Sequence, residues 1–599
     1  MRKFGRFLLW SFAGLGALVV VLVVGLIVIG SKADDQPELP DNFALMLDLN
    51  RGVVEKRNAV PLEVLEDDRG AYLLRDVVEG LERAGGDPRV KGLVLRLGNS
   101  GVSIAQAQEL RDAIFAFRSK GKFAIAFAES FGIVSNATVE YYLASAVEES
   151  WLQPSGELAL TGLTLEIPFF KDALGNLDIE PLIGQRHEYK GAAESLTRAG
   201  MSAPVRRSME SLVDDWYRQI VEGISAARKI PVGKVRALVD GGPYSANAAK
   251  RVGLVDRFAY WNQVELEVAR RLVSGDKTDA KTDPLVSLKE YRDDSDAPEG
   301  NGPKAALITA EGTILMGRAG RFESDIIASD DLASLIFEAA EMDDLKGILI
   351  RIASPGGIYT GADTVWQAIQ LAKKNGKKVV VSMGGAAASG GYFIAMAADR
   401  IVAQPGTVTG SIGVYGGKLN LQGFWEKLGV RWDEVHVGKH ATMWSMNRGY
   451  PEGAKARVDR LLDQIYEDFT AKAAKARRVS TDAMDKLARG RIWTGKQALA
   501  GKLVDRLGGL KVATAELAKL LGVPDTEKLR LVPMPAEKSR FELIAEFLSG
   551  DIDAGLLLAA WRVGPIANWR RAAGPILRDL NTLAPPVGRL QLPAFRLKR

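Results

Sequence analysis

Much of this sequence is written twice. Residues 91–97 (KGLVLRL) return as 346–352 (KGILIRI), and 141–144 (YYLA) return as 392–395 (YFIA). Gln153 and Pro154 match Gln404 and Pro405, Thr161 and Gly162 match Thr409 and Gly410, and 254–256 (LVD) match 503–505. The offsets stay between 248 and 255 residues along about 160 residues of sequence. Such regularity means a duplicated domain rather than a short solenoid unit. Within each copy, apolar β-branched runs alternate with amphipathic stretches, the pattern of an α/β fold with a mainly parallel sheet. The chain therefore reads as tandem α/β domains, the first at 31–273 and the second at 305–540. Between them, 274–304 is rich in Asp, Lys, Gly and Pro and reads as an exposed connector.

Composition narrows the field further. The 47% apolar and 26% charged fractions are those of ordinary globular protein. A net charge of +5 gives no reason to expect a nucleic-acid partner. The absence of cysteine excludes disulfides, thiol catalysis and cysteine-based zinc sites, and it fits an oxidising compartment. Residues 7–30 carry no charge, and a helix of that length spans about 36 Å, enough for a tilted membrane crossing. The stub 1–6 holds Arg2, Lys3 and Arg6. The positive-inside rule then places this stub in the cytoplasm and the bulk of the chain on the periplasmic side of the inner membrane. The apolar run exceeds the core of about 7–15 residues of a cleaved signal peptide, so it reads as an uncleaved anchor.

Chemistry concentrates in the second copy. Residues 381–391 read VSMGGAAASGG. The run 379–381 reads as a buried strand and 392–398 as a helix, so Ser389 falls at a strand-to-helix turn. Gly390 and Gly391 leave the N–H groups behind it uncrowded, at the positive end of the helix dipole. Upstream, the strand 346–352 runs into Ser354, Pro355, Gly356 and Gly357, where the glycines permit close backbone approach. Strand ends of a parallel sheet meet at one edge, so N–H groups of Gly357 and Gly390 can form a two-donor oxyanion hole. A tight packing turn has the same glycine pattern, and the residues alone leave both readings open. The first copy has 99–102 (NSGV) and 138–140 (TVE) at the corresponding places, so it lacks both turns.

The string SPGG, then SMGGAAASGGYFIA, then TGSIGV resembles the bacterial signal peptide peptidase A family, in its long two-repeat form, within the Clp-protease/crotonase superfold. The resemblance runs from about residue 45 to about residue 535. It implies tandem Clp-like domains and a serine endopeptidase that degrades cleaved signal peptides in or at the inner membrane. It also implies a ring-like homotetramer and no cofactor. Ser389 would be the nucleophile. One departure is Ala353, where the family often has Asn.

A serine nucleophile needs a base. The histidines are His187, His436 and His440, and none has a supporting motif. His436 and His440 are spaced as on a zinc helix, but 435–439 reads as strand then turn with no acidic residue between them, so no metal site is expected. A buried lysine loses its charge readily and serves as a general base near neutral pH. In the long form of the family the base lies in a Tyr-Lys-small-Ala-x-Glu segment, which 189–194 (YKGAAE) matches, implying Lys190. Short forms place the lysine about 50 residues after the serine, where this chain has Lys439. The repeat offset lays Lys190 over Gly438 or Lys439, so Lys439 stays a rival, and the fuller string favours Lys190. The family's serine that steadies the lysine corresponds to Ser411.

Residues 541–599 form a basic extension. An apolar, helix-patterned stretch at 541–561 is followed by Arg562, Arg570, Arg571, Arg578, Arg589, Arg596, Lys598 and Arg599. A helix packed on the second copy and a membrane-surface tail both fit this pattern. Two other functional classes share parts of this pattern: an acyl-CoA enzyme of the crotonase superfold and a non-catalytic membrane scaffold. The anchor opposes the first, and the intact Ser389, Lys190, Ser411 and glycine turns oppose the second.

Overall fold

The runs 90–96 and 345–354 are apolar on both faces, and each becomes an inner strand of a parallel sheet. The computed structural model describes residues 39–56, 70–133, 135–272, 284–294, 302–320, 325–524 and 529–536, with the main chain of 589–591 and 596–597. The anchor expected at 7–30 and the apolar stretch 541–561 lie outside these residues. Among the described residues no helix is long and apolar enough to cross a membrane.

The first sheet runs Arg257–Phe258, Glu149–Leu152, Phe123–Ala128, Val90–Arg96, Phe43–Asp48, Leu285–Ser287, every pair parallel. The second has the same row of six, Arg506–Leu507, Arg400–Ala403, Lys378–Ala388, Leu345–Ser354, Lys304–Glu311, Arg530–Met534, each of these pairs parallel; the end of Lys378–Ala388 also pairs parallel with Val408–Gly410, which in turn pairs antiparallel with Ile492–Thr494. The copies match strand for strand, and their side chains match too. Tyr141 Oη donates to Leu254 O and Tyr392 Oη to Leu503 O, at 2.6 and 3.0 Å. Asp256 and Asp505 each accept a strand amide at 2.7 Å. Arg228 and Arg477, at the ends of the long helices Ala203–Arg228 and Ala454–Arg477, pair with those same aspartates.

The connector expected at 274–304 is partly built into the first copy. Leu285–Ser287 forms an edge strand beside Phe43–Asp48, and Tyr291 is buried against Phe43. Val286, Leu288 and Tyr291 supply apolar anchors that the polar composition of the stretch obscures.

The halves are tied together by buried polar contacts. Arg351 reaches across to Glu55 at 2.9 Å and Glu109 at 2.8 Å, and also donates to Ser382. Glu109 accepts the Leu510 amide at 2.6 Å. Trp216 donates to Gly406 O at 2.8 Å, and Asp215 accepts from Thr494 at 2.6 Å. The strand Glu180–Arg186 leaves the first copy and pairs antiparallel with Val414–Asn420 of the second. Replacing Arg351 by leucine strands two buried carboxylates without their counter-charge. We expect Arg351→Leu to cost about 3–5 kcal/mol of stability, read from the urea midpoint. An unchanged midpoint would show that the cluster is solvated.

Candidate active site

The strand Lys378–Ala388 narrows to small side chains as it approaches its end. A Cβ on Gly384 would sit 3.0 Å from the Glu55 carboxylate and 3.2 Å from the Ala353 Cβ. The chain turns at Ser389, with φ 56° and ψ −112°, and the helix Gly390–Ala395 begins at once. Positive φ at a non-glycine residue costs about 1–3 kcal/mol and persists only where neighbours fix it. Here the Ser389 amide donates to Gly410 O and the Phe393 amide to Ser389 O, both at 2.8 Å.

The second turn lies alongside. Gly356 has φ 108°. A Cβ on Gly357 would lie 2.0 Å from Ile314 O, so only glycine fits where Gly356–Ile358 pairs with Thr313–Leu315. Buried Ser354 fastens this turn: its hydroxyl donates to Gly312 O at 2.7 Å and accepts the Gly356 amide at 3.1 Å. A Cβ on Gly390 would be 3.1 Å from the Gly357 nitrogen, so the two glycine turns are in contact.

Lys190 enters from the first copy, just beyond the strand Glu180–Arg186. Its Nζ lies 2.6 Å from Ser389 Oγ and 2.9 Å from both the carbonyl oxygen and the hydroxyl of Ser411. Lys190 and Ser389 are wholly buried. Burial pushes the Lys190 pKa well below the ordinary lysine value. Its three partners are neutral, so no carboxylate holds the proton on. A neutral amine suits this pocket: two N–H groups satisfy Ser411, and the lone pair faces the Ser389 hydroxyl. Ser411 is itself at φ 52°, with its amide on Arg491 O at 2.6 Å.

The structure thus brings Ser389, Lys190, Ser411, Gly357 and Gly390 to one place. Lys439 is exposed in the loop after the helix Gln422–Lys427. The strand expected from Val435 does not form. Among the described residues that segment has no neighbouring strand to pair with, and Val435 and Val437 are almost fully exposed. His187 packs its ring on Tyr466, and His436 stands beside Glu434. Neither His187, His436 nor His440 is among the hydrogen-bond partners of Ser389 in the described residues. Thr138, which takes the place of Ser389 in the first copy, accepts the Gly162 amide at the start of its helix.

Gly490 completes the pocket and carries no local signal in the sequence. It sits at φ 84°, and a Cβ there would lie 2.4 Å from the Lys190 nitrogen and 2.5 Å from its Cα. The adjacent Arg489 carbonyl accepts the Tyr189 amide at 3.1 Å. Gly490→Ala is expected to lose about 1–3 kcal/mol through backbone strain, seen as a lowered melting temperature. Full retention of stability would mean that the 488–491 turn moves freely away from Lys190.

The fold and this geometry can now be set beside known proteins. The model for peptidase family S49 matches residues 116–273 and 371–524, one match in each copy, and the model for Clp protease matches 309–407. "Serine protease SPPA, chloroplastic" of Arabidopsis thaliana is 31% identical over 467 residues, covering 77% of this chain and 68% of that protein. "Protease 4" of Haemophilus influenzae is 29% identical over 527 residues, with 84% and 83% covered. "Protease 4" of Salmonella typhi is 29% identical over 523 residues, with 85% and 82% covered. Both copies carry the family match, which spans more than half of the sequence, and we conclude that this chain belongs to peptidase family S49 and is a serine protease.

Proposed function

We propose that the chain is a membrane-anchored endopeptidase with a Ser/Lys pair, acting on signal peptides left at the inner membrane after their release. The observation that carries this reading is the 2.6 Å contact between a desolvated Lys190 amine and the Ser389 hydroxyl. Lys190 takes the hydroxyl proton as Ser389 Oγ attacks the scissile carbonyl. The oxyanion rests on the N–H groups of Gly357 and Gly390. The Lys190 ammonium gives its proton to the leaving amine, and an acyl-enzyme remains. Lys190 then deprotonates a water that attacks the ester, and Ser389 regains its proton as the peptide acid leaves. Ser411 positions the amine throughout. The uncharged run 7–30, behind Arg2, Lys3 and Arg6, supports anchoring, with the two copies on the periplasmic face.

Hydrolysis of a fluorogenic apolar peptide by detergent-solubilised protein tests the assignment. We expect Ser389→Ala and Lys190→Ala each to lower kcat/KM at least about a thousandfold, with Lys439→Ala unchanged. An active Lys190→Ala variant would place the base elsewhere, and an active Ser389→Ala variant would remove the proposed nucleophile.

The pH profile follows from the direction of the Lys190 shift. Only the neutral amine accepts the serine proton, and its pKa is depressed. Activity therefore rises as pH increases through that depressed value and then levels off. A profile that is flat from about pH 5 to 9 would argue against a lysine base.

The repeat also supports assembly into a closed ring, which we assign to four chains. Inside the chain, Glu180–Arg186 of the first copy pairs with Val414–Asn420 of the second. The repeat offset of 248 or 249 residues makes 428–435 the counterpart of the first strand and the region of Leu165–Glu166 the counterpart of the second. Among the described residues 428–437 pairs with no strand, and Val435 is 101% and Val437 96% exposed. A neighbour's first copy offers the matching edge, giving a head-to-tail contact that closes on itself. Val437→Asp is expected to shift the sedimentation of the solubilised protein towards the single chain. A mass indistinguishable from that of the unaltered protein would exclude this contact.

A further inference from the structure

One side-chain cluster beside the nucleophile differs in kind between the two copies. In the second copy the helix Tyr359–Lys374 begins directly after the strand Gly356–Ile358. Its first residue, Tyr359, donates its hydroxyl to Asp468 Oδ2 at 2.6 Å. Asp468 lies on the helix Ala454–Arg477, one turn before Lys472. Lys472 Nζ donates to Asp468 Oδ2 at 2.8 Å and to Asp363 Oδ1 at 2.7 Å, and it lies over the rings of Trp366 and Phe393. The repeat offsets of 255 and 249 residues put Ile104, Gln108, Gln219 and Gly223 of the first copy at the positions of Tyr359, Asp363, Asp468 and Lys472. There Gln108 donates straight to Gln219 at 2.7 Å, with no lysine between them. That pair serves the seam between the copies instead. Gln108 accepts the Gly406 amide at 2.7 Å, and Gln219 donates to Pro405 O at 3.2 Å.

We propose that Tyr359 is a positioning residue for the oxyanion hole, its hydroxyl anchored on Asp468 so that the N–H groups of Gly357 and Gly390 keep their spacing. The main chain of Tyr359 follows Gly357 by two residues. Its ring stands edge-on to Phe393, with centroids 5.5 Å apart at 87°. Phe393 is wholly buried in the helix Gly390–Ala395 and its amide donates to Ser389 O, so the ring bears on the helix of the second donor. Phe393 rests in turn on Phe469, the neighbour of Asp468. One tyrosine thus joins both glycine turns to a single helix. That helix also holds the approach to Lys190, because Arg186 donates to Asp459 O at 2.8 Å and to the Asp463 carboxylate.

The chemistry suits a spacer. A short hydrogen bond to a carboxylate is charge-assisted and directional, where apolar packing is not. Burial, and then the Asp468 bond, push the Tyr359 hydroxyl well above the ordinary tyrosine value, so it remains a donor at every working pH. A donor displaced from the developing oxyanion stabilises it less, while binding of the unreacted peptide is little altered. The first copy has no oxyanion to hold, and an isoleucine and two glutamines stand in these places.

This inference rests on the Ser389 peptidase reading. The test uses the detergent-solubilised full chain and the fluorogenic apolar peptide. Tyr359→Phe keeps the ring and removes only the hydroxyl. We expect it to lower kcat at least about fivefold, with KM unchanged and the pH midpoint of kcat unmoved. Asp468→Ala should act alike, and the double variant should lose no more than either single one, because both remove the same bond. A peptide aldehyde gives a second readout. Ser389 Oγ bonds to its carbonyl carbon, the carbonyl π pair becomes an alkoxide on the same two N–H groups, and Lys190 takes the serine proton. Its inhibition constant should rise by the factor by which kcat/KM falls. That constant does not depend on how much of the chain is folded, so a mere loss of stability leaves it in place. A kcat for Tyr359→Phe within about twofold of the unaltered chain, additive losses in the double variant, or an unmoved inhibition constant would each overturn the positioning role. A shifted pH midpoint would overturn it too, by assigning the residue to Lys190. Hydrolysis that survives Ser389→Ala would remove the peptidase reading, and this inference with it.

Discussion

The burial of one amine organises this molecule. Lys190 comes from the first copy, yet the hydrogen-bond partners of its Nζ, Ser389 and Ser411, come from the second, as does Gly490, which packs against its main chain. A charged ammonium in such a place, with no carboxylate beside it, would be strongly penalised, so the pocket selects the neutral form. That selection requires both halves in register. Neither copy alone can desolvate the amine, because neither encloses it.

The contacts between the copies serve that register. Arg351 extends from the strand whose end becomes the Ser354 to Gly357 turn, and it grips Glu55 and Glu109 of the first copy. Glu55 in turn lies against Gly384, five residues before the serine. The same ion cluster therefore braces both glycine turns from behind. On the far side of the site, the pairing of Glu180–Arg186 with Val414–Asn420 fixes where Lys190 enters. Backbone strain at Ser389 and Ser411 is held between these supports.

What the sequence discloses follows the range of the interactions involved. Apolar runs and a constant offset are local or simply periodic signals, so two α/β copies with parallel sheets could be read directly. The turns at Ser389 and Gly357 are local as well. The partnership of Lys190 with Ser389 spans 199 residues, and no spacing rule predicts it; a resemblance of short motifs had to suggest it. Gly490, Ser354 and Arg351 matter through neighbours distant in the chain, and nothing beside them marks the fact. The segment from Val435 has the alternation of a strand, but alternation supplies no partner, and an edge without one stays irregular. At 274–304 the polar average concealed three apolar anchors. The short strand at 589–591 sits in a basic stretch whose composition suggests a loose end.

The duplicated domain has undergone a division of labour with a direction to it. The first copy carries Thr138 where the second has its serine, and it lacks the SPGG turn. The second copy turns its counterpart lysine segment outwards, with Lys439 in solvent. Each copy has given up what the other retains. Reverting to a single domain would require a serine turn, a glycine turn and an inward lysine to return together, and any one of them alone confers nothing. The doubled length is therefore a ratchet: substitutions in either copy are now screened by the chemistry of the other.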